Sequence, residues 1–150
     1  MTSSRGKSKK PSDVNSTATL PSPLVFFLDR SLGKKIIAEA LRQAGVDVQI
    51  HDDYFPPDTR DEEWLTTAGQ RGWIVLTKDR RIRYRTPERT ALLRADVRAF
   101  VLTAGNLQGV EMAAIFIKAL SSMRRFVADA PPPFIATVTR SGKVSILVHR

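Results

Sequence analysis

Three short runs of mostly apolar residues limit the folds that this chain can adopt. They are residues 24–28, 73–77 and 97–103, and in none of them do polar side chains alternate regularly with apolar ones. A strand with one face in water shows that alternation, whereas a strand covered on both faces does not. We therefore predict three buried strands that lie parallel at the centre of one sheet.

The segments between these runs have the periodicity and the end signals of helices. The predicted helices are residues 31–44, a segment from 60 or 61 to 72, residues 86–94, and 109 to about 127. A further short strand is predicted at residues 46–50, followed by a proline-containing loop at 51–58. The resulting order, β-α-β-α-β-α-β, predicts an α/β domain with a mainly parallel sheet whose crossovers are helical.

The C-terminal part of the chain has a different pattern. Residues 134–140 and 143–149 alternate with a period of two on either side of Ser141 and Gly142, and three prolines precede them. Such alternation around a two-residue turn is typical of a β-hairpin. We expect this hairpin to be peripheral to the parallel sheet.

The composition excludes several function classes. The chain has 150 residues, no Cys and two His, so disulfide scaffolds, zinc fingers and thiol catalysis have no residues to use. Uninterrupted apolar runs such as residues 24–28 are far shorter than the ~20 residues of a membrane span, and the N-terminus has no apolar signal core. We therefore expect a cytoplasmic protein that does not associate with membranes.

The charge of the chain favours polyanionic partners. There are 24 Lys and Arg against 15 Asp and Glu, a net charge of +9. Residues 1–22 carry four of these cations and one acid, and Leu20 is their only large aliphatic residue, a composition typical of a disordered basic tail. The remaining excess lies in residues 23–150, which we predict to form a single domain that binds RNA, DNA or an acidic protein.

Candidate catalytic acids follow two of the predicted strands. Asp29 comes directly after the first strand, and Asp79 follows residues 73–77 by way of Lys78. The carboxyl ends of parallel strands meet at one edge of a sheet, where reactive groups are usually found. Three more acids, Asp61, Glu62 and Glu63, open the intervening helix and can face the same edge. Converging carboxylates repel one another, and binding a divalent cation such as Mg²⁺ relieves that repulsion.

Each of these acids also has a structural interpretation. Asp29 can cap the first helix, although Ser31 is equally well placed to do so, and Asp79 can initiate a turn. The sequence from Thr59 to Glu62 fits a capping box, and acids in a first helical turn are stabilised by the helix dipole. His51, Asp52 and Asp53 resemble a triplet of metal ligands, but they lie in the proline-containing loop and are better explained as surface.

A run of basic residues follows Asp79. The run begins with Lys78 and continues with five arginines: Arg80, Arg81, Arg83, Arg85 and Arg89. Beside the acids, these side chains are placed to bind phosphates, although a charge run is often only a solvated surface. Tyr84 within the run can stack on a base or pack against the domain.

Residues 27–32, 61–65 and 73–79 together resemble the PIN-like domains related to VapC-type toxin ribonucleases. The resemblance extends from about residue 25 to residue 118. It implies a three-layer α/β/α sandwich and a Mg²⁺- or Mn²⁺-dependent endoribonuclease, often the toxin of a toxin–antitoxin pair. Asp29 and Asp79 match the strand-end acids of the family, and Asp61, with Glu62 as the alternative, matches the acid on the helix. Where many members carry a fourth acid, this chain has Asn106, which the resemblance implies either ligates weakly or orients substrate.

We therefore predict a ribonuclease in which Asp29, Asp61 or Glu62, and Asp79 act in catalysis and hold the metal. The substrate-binding residues would be Arg80, Arg81, Arg83 and Asn106, and the natural partners RNA and an acidic antitoxin. The sequence is compatible with a homo-oligomer. The main alternative is a non-catalytic PIN-like module that binds nucleic acid or a partner protein, which Asn106 favours. A phosphoacceptor receiver domain fits less well, because Asp29 is followed by Arg30 rather than by a second acid.

Overall fold

The computed structural model describes residues 24–149, so the predicted tail at 1–22 lies outside the described residues. Within that range, one sheet has the strand order β2-β1-β3-β4-β5-β6. The strands are β1 (Val25–Leu28), β2 (Asp47–Ile50), β3 (Ile74–Thr77), β4 (Arg98–Leu102), β5 (Phe134–Val138) and β6 (Val144–His149). Every neighbouring pair from β2 to β5 is parallel, and β6 is antiparallel to β5. The predicted parallel arrangement of the three apolar runs is confirmed.

Helices cover both faces of the sheet. They are α1 (Ile36–Gln43), α2 (Asp61–Arg71), α3 (Arg80–Tyr84), α4 (Thr86–Arg94) and α5 (Gly109–Asp129). Buried side chains of α1 and α5 form one core with the sheet, and those of α2, α3 and α4 form a second core on its other face. This confirms the predicted three-layer α/β/α sandwich. No helix in residues 24–149 is both long and apolar enough to cross a membrane.

The alternation of side chains along β1 sets the direction of the residues beyond its end. Phe26 and Leu28 belong to the core beneath α1 and α5, whereas Phe27 belongs to the core beneath α2 and α4. With a period of two, Asp29 continues on the same face as Phe27. On β3, Val75 belongs to that same core, so Thr77 also faces the α2 side. Polar groups at both strand ends are therefore directed toward one face of the sheet.

The C-terminal hairpin extends the main sheet. It lies at one edge, as predicted, but β5 pairs in parallel with β4 and four of its five residues are buried. Because of that burial, β5 belongs to the core, and only β6 is partly exposed along its length.

The first helix begins later than predicted. The expected helix over residues 31–44 starts at Ile36, and a 3-10 turn occupies Arg30–Leu32. The carboxylate of Asp29 accepts a hydrogen bond from the backbone N–H of Ser31 at 2.9 Å, which closes a local turn in competition with the helix. Gly33 then adopts a φ of 75°, a conformation that ends the turn and that glycine tolerates best.

Helices α2 and α4 pack closely on the face that carries the strand-end acids. A Cβ added to Gly69 on α2 would lie 1.8 Å from the carbonyl oxygen of Ala95, which follows α4. A side chain at residue 69 would therefore force the two helices apart. The short helix α3 precedes α4 and contains the basic run, for which no helix was predicted. Its position places the arginines next to the carboxyl ends of β1 and β3.

Candidate active site at the strand ends

Asp29 and Asp79 lie at the same edge of the sheet, beyond the ends of neighbouring strands. Leu28 pairs with Leu76 in the parallel register of β1 and β3. The backbone N–H of Asp29 extends this pairing by donating to the carbonyl of Leu76 at 3.2 Å. Asp79 follows the last residue of β3, Thr77, by two positions. The strand geometry thus brings both acids to one place from positions 50 residues apart in the sequence.

Asp29 is buried and is held by neutral donors. Its Oδ1 accepts the N–H and the hydroxyl of Ser31, and its Oδ2 accepts the hydroxyl of Thr77. Only 6% of the residue is exposed. Burial raises the pKa of Asp29 to about 6, because the loss of water disfavours the charged form more than these hydrogen bonds favour it. The negative charge of Asp79 adds a smaller effect in the same direction.

Asp79 has the opposite environment. Its Oδ1 accepts the N–H of Arg81 at 3.0 Å and so caps α3, and the Arg81 guanidinium binds both carboxylate oxygens, with Nη2 2.6 Å from Oδ2. Partial burial raises the pKa of Asp79, but the hydrogen bonds and the positive charge of Arg81 outweigh that effect and leave the pKa below its usual value. The same contacts raise the pKa of Arg81. Asp79 is therefore ionised and paired.

The acids at the start of α2 differ in their partners. Asp61 Oδ1 accepts the indole N–H of Trp64 at 3.1 Å, and its Oδ2 lies 3.6 Å from Nη2 of Arg81. Glu62 instead pairs with Arg60 at 3.0 Å, and its side chain is 66% exposed. Asp61 is thus linked to Asp79 through a shared guanidinium, whereas Glu62 points toward solvent at the mouth of the site. Of the two alternatives weighed for this helix, the geometry favours Asp61.

The capping box suggested by the sequence at the start of α2 is not formed. Arg60 is the residue that precedes the first helical position, and its side chain makes no capping hydrogen bond. The hydroxyl of Thr59 donates instead to the carbonyl of Pro56 at 2.7 Å. The acids of the first turn therefore do not act as members of a capping box, and they interact favourably with the helix dipole in addition to their side-chain partners.

A cleft of about 440 Å³ joins these side chains. Its polar lining includes Asp29, Thr59, Arg60, Asp61, Glu62, Asp79, Arg81 and Glu88. The carboxylate and hydroxyl oxygens here are the hard donors that Mg²⁺ and Mn²⁺ prefer, so the donor chemistry fits such a cation. In residues 24–149, however, no three His, Cys, Asp or Glu side chains are grouped closely enough to hold a metal ion. The guanidinium of Arg81 lies between Asp61 and Asp79, and a cation shared by these two acids requires that it move.

The other predicted phosphate-binding arginines lie on the exposed side of α3. Arg80 is exposed, and its side chain makes no hydrogen bond or ion pair with any other residue in the described range 24–149. Arg83 is half-buried, with Nη1 3.4 Å from the carbonyl of Thr103 and its guanidinium 4.8 Å from the centre of the Tyr84 ring. Tyr84 is 63% exposed, which leaves its ring accessible. This surface, Arg80–Tyr84, is called the basic rim below.

The structure does not bring Asn106 to the acids. It is exposed in the loop between β4 and α5 and does not line the cleft. Its φ of 56° lies in the left-handed region, which asparagine tolerates better than most residues. The backbone conformation is therefore a sufficient reason for an asparagine at this position.

His51 is buried, contrary to the expectation that residues 51–53 are surface. It is 3% exposed and packs against the rings of Phe27, Phe55 and Trp64. Burial lowers the pKa of His51, although the neighbouring Asp52 opposes this effect. Asp52 and Asp53 are exposed, as expected. His51 thus helps to support the wall of the cleft that carries Trp64.

The sequence interpretation missed the residues that hold the acids in place. Thr77 was treated only as a strand residue, yet it is fully buried, and its hydroxyl donates to Asp29 and accepts the N–H of Asp79 at 3.0 Å. Trp64 is buried in the core, and its indole N–H also orients Asp61. The sequence did contain a signal for Thr77. Side chains along a strand alternate between the two faces of the sheet, so Thr77, two positions before Asp79, could have been predicted to face the same side as that acid. No sequence pattern indicated the contact of Trp64.

Comparison with known proteins is consistent with this geometry. Residues 24–104 match a family model described as "PIN like domain". The chain is also similar to a protein of Mycobacterium tuberculosis (strain ATCC 25618 / H37Rv) named "Putative ribonuclease VapC45", with 31% identity over 126 residues. That match covers 81% of this chain and 91% of the relative. No solved structure matches the chain significantly.

Proposed function

This chain belongs to the PIN-like domain family, and we propose that it is a Mg²⁺- or Mn²⁺-dependent endoribonuclease that acts as the toxin of a toxin–antitoxin pair. The observation that carries the proposal is the meeting of Asp29, Asp61 and Asp79 at one cleft on the carboxyl edge of the sheet. The name of the mycobacterial relative supports RNA as the substrate and a toxin of the VapC type. We propose that the protein acts in the cytoplasm.

In this function, Asp29, Asp61 and Asp79 would hold the cation, and Glu62 would be the alternative ligand on α2. The chemistry that the cation would supply there is polarisation of the phosphodiester and activation of a water. Two further side chains would orient the ligands: the hydroxyl of Thr77 donates to Asp29, and the indole N–H of Trp64 donates to Asp61.

The basic rim binds the RNA backbone. Arg80, Arg81 and Arg83 contact phosphates, and the exposed ring of Tyr84 is placed for stacking on an unpaired base. Asn106, which lies outside the cleft, would contact substrate only at a distance from the metal. The net charge of +9 also favours an acidic antitoxin as the protein partner. A homo-oligomer is compatible with this arrangement.

Cleavage assays on metal-loaded and EDTA-treated protein test the catalytic proposal. We expect the wild type to cleave RNA with Mg²⁺ or Mn²⁺ and not in EDTA, and Asp79→Asn to lower the rate by orders of magnitude, because it removes a negatively charged ligand. Asp47→Asn is the matched control, since Asp47 is exposed at the opposite end of β2. Equal cleavage by wild type and Asp79→Asn would exclude the proposed site.

The salt dependence of RNA binding tests the basic rim. Replacing Arg80, Arg81 and Arg83 together with Gln should flatten the plot of log affinity against log salt by about 2 units, because fewer phosphate contacts release fewer counterions. Sequence preference should change little. The control replaces three exposed cations of α5, Lys118, Arg124 and Arg125. An equal loss of slope in both triple variants would indicate general electrostatic attraction and no specific interface.

A non-catalytic PIN-like binding module is the second candidate. The observation that favours it is the pairing of Arg81 with Asp79 and its proximity to Asp61, which leaves these acids without room for a shared cation unless Arg81 moves. For such a module, we expect RNA or partner binding that depends on the basic rim but no cleavage of varied RNAs and no stabilisation by Mn²⁺.

A further inference from the structure

Arg81 is close to carboxylates from three separate elements. Its Nη2 lies 2.6 Å from Asp79, beyond β3, and 3.6 Å from Asp61, at the start of α2. Its Nη1 lies 4.0 Å from Glu88 on α4. One guanidinium therefore neutralises the acids that converge on the cleft and reduces their mutual repulsion.

The neighbouring arginines do not share this arrangement. Arg85 pairs with Glu88 within one turn of α4, at 3.6 Å. Arg89 donates to the backbone carbonyls of Ile82, at 3.0 Å, and Arg83. Among the basic residues between positions 78 and 89, all of which the structure describes, Arg81 is thus the one that binds the acids proposed as metal ligands.

The position of Arg81 also allows it to leave. Its side chain is 49% exposed, and its guanidinium is held by hydrogen bonds to Asp79 and by ion pairs, which are weak at such exposure. Exposed side chains change rotamer within nanoseconds. Arg81 follows Arg80 in α3, so moving its guanidinium from the cleft to the basic rim requires a change of side-chain rotamer and no change of fold.

We propose that Arg81 and a divalent cation compete for the carboxylates of Asp79 and Asp61, and that the guanidinium displaced by the cation binds a phosphate of the RNA. Arg81 is then a positioning residue that holds the acids together before metal binding and holds substrate afterwards. This inference rests on the proposed function, since it takes the same acids to be metal ligands.

The exchange links metal and RNA binding. Metal binding frees Arg81 for a phosphate, and a phosphate that draws Arg81 away lowers the competition for the carboxylates. By thermodynamic linkage, each ligand must then increase the affinity for the other by the same factor. Removing Arg81 should therefore tighten metal binding in the absence of RNA and weaken the coupling between the two ligands.

Titration of EDTA-stripped protein with Mn²⁺, followed by calorimetry, tests the competition without any cleavage step. We expect Arg81→Gln to bind Mn²⁺ about fivefold more tightly than the wild type, because no ion pair has to be broken. Arg81→Lys, which cannot bind both oxygens of Asp79 at once, should fall between them. Arg80→Gln removes the same charge one residue away and should change the affinity less than twofold. Thermal melts in EDTA confirm that each variant is folded.

The outcomes separate this inference from the proposed function. If the wild type binds Mn²⁺ and Arg81→Gln binds it with equal or lower affinity, the exchange is wrong, but the proposed metal-dependent function is not affected. Absence of Mn²⁺ binding in both the wild type and Arg81→Gln overturns both. Repeating the titration with a saturating 2′-O-methyl RNA, which cannot be cleaved, measures the coupling. We expect this RNA to tighten Mn²⁺ binding more in the wild type than in Arg81→Gln, and an equal effect in both overturns the proposed transfer of Arg81 to phosphate.

Discussion

The ends of β1 and β3 each carry an aspartate, but the two carboxylates are held in opposite ways. Asp29 is buried and receives hydrogen bonds from the neutral hydroxyls of Ser31 and Thr77, which leaves its pKa raised to about 6. The side chain of Asp79 is 20% exposed and is bound by the guanidinium of Arg81, which leaves its pKa lowered.

The difference shows that proximity in the sheet does not give two acids the same energetics. Asp79 extends two residues beyond its strand and reaches a cation at the cleft wall, so its negative charge stabilises the fold. Asp29 directly follows its strand, where the surrounding structure excludes water and no cation replaces it. Its charge therefore opposes folding at neutral pH. Titratable groups perturbed in this way are concentrated at functional sites, which agrees with a role for Asp29 in binding a cation.

The largest expected effect on stability comes from removing the charge of Asp29. Because the pKa is higher in the folded protein than the unfolded value of 3.8, the folded state binds more protons between about pH 4 and pH 6. Stability should fall as the pH rises through that window. Asp29→Asn should stabilise the metal-free protein by about 2 kcal/mol at pH 7.5 and change it little below pH 4. Urea denaturation in EDTA at the two pH values measures both differences.

Asp47→Asn is the control for this experiment, because Asp47 is exposed at the start of β2, at the end of the sheet away from the cleft. Its stability should match that of the wild type at both pH values. A loss of stability in Asp29→Asn at pH 7.5 would mean that the hydrogen bonds to its carboxylate outweigh the cost of burial. The contrast drawn between the two strand ends would then be wrong.

A smaller effect is expected from Thr77→Val, which keeps the shape of the side chain but removes a hydroxyl donor to Asp29. Thr77 is fully buried, and its hydroxyl also accepts the N–H of Asp79. We expect a loss of about 1–2 kcal/mol at pH 7.5, and less at about pH 3, where Asp29 is protonated in the folded state and mostly protonated in the unfolded state. Thr66→Val is the control, since Thr66 is exposed and bonds only within its own helix. An equal loss at both pH values would show that the hydroxyl does not support the charged form of Asp29.

The sheet could be predicted from the sequence because a strand that is buried on both faces has a continuous apolar sequence. Each apolar run became a central strand, and the acids that follow the first and second runs fell at one edge for that reason. The start of α1 could not be predicted, because the side chain of Asp29 competes with the helix for the backbone of Ser31. Helix α3 was missed because its five residues contain one buried apolar side chain, Ile82, which gives no periodicity.

The candidate site was predictable in its acids but not in their partners. An arginine can reach many positions from one backbone site, so the sequence could not distinguish an Arg81 that binds acids from an Arg81 that faces RNA. Asn106 was assigned from the fourth-acid position that the family resemblance implies, whereas in the structure it is exposed in a loop and does not line the cleft. These are properties of side-chain direction and tertiary packing, and a single sequence carries little information on either.

A double-mutant cycle on Asp79 and Arg81 measures how much their ion pair contributes to stability, for comparison with the cost of burying Asp29. Asp79→Asn, Arg81→Gln and the double variant, compared at pH 7.5 in EDTA, should give a coupling energy of about 0.5–1 kcal/mol. The pair is bidentate but Arg81 is half exposed, so solvent screening keeps this energy small. The coupling should disappear as the pH falls through the lowered pKa of Asp79, the opposite of the trend at Asp29. A coupling of zero at pH 7.5 would indicate that the contact contributes nothing to stability.

The smallest expected effect is the response of the two strand ends to salt. At 1 M ionic strength the Debye length is about 3 Å, so the coupling between Asp79 and Arg81, which is open to solvent, should fall by a few tenths of a kcal/mol. The stabilisation by Asp29→Asn should change less, because the cost at Asp29 is loss of hydration within the protein, which mobile ions do not reach. Urea denaturation of both variant sets at 0.1 M and 1 M NaCl makes the comparison, with Asp47→Asn as control. An equal response at both positions would mean that Asp29 is in contact with solvent ions, and its raised pKa would then need a cause other than burial.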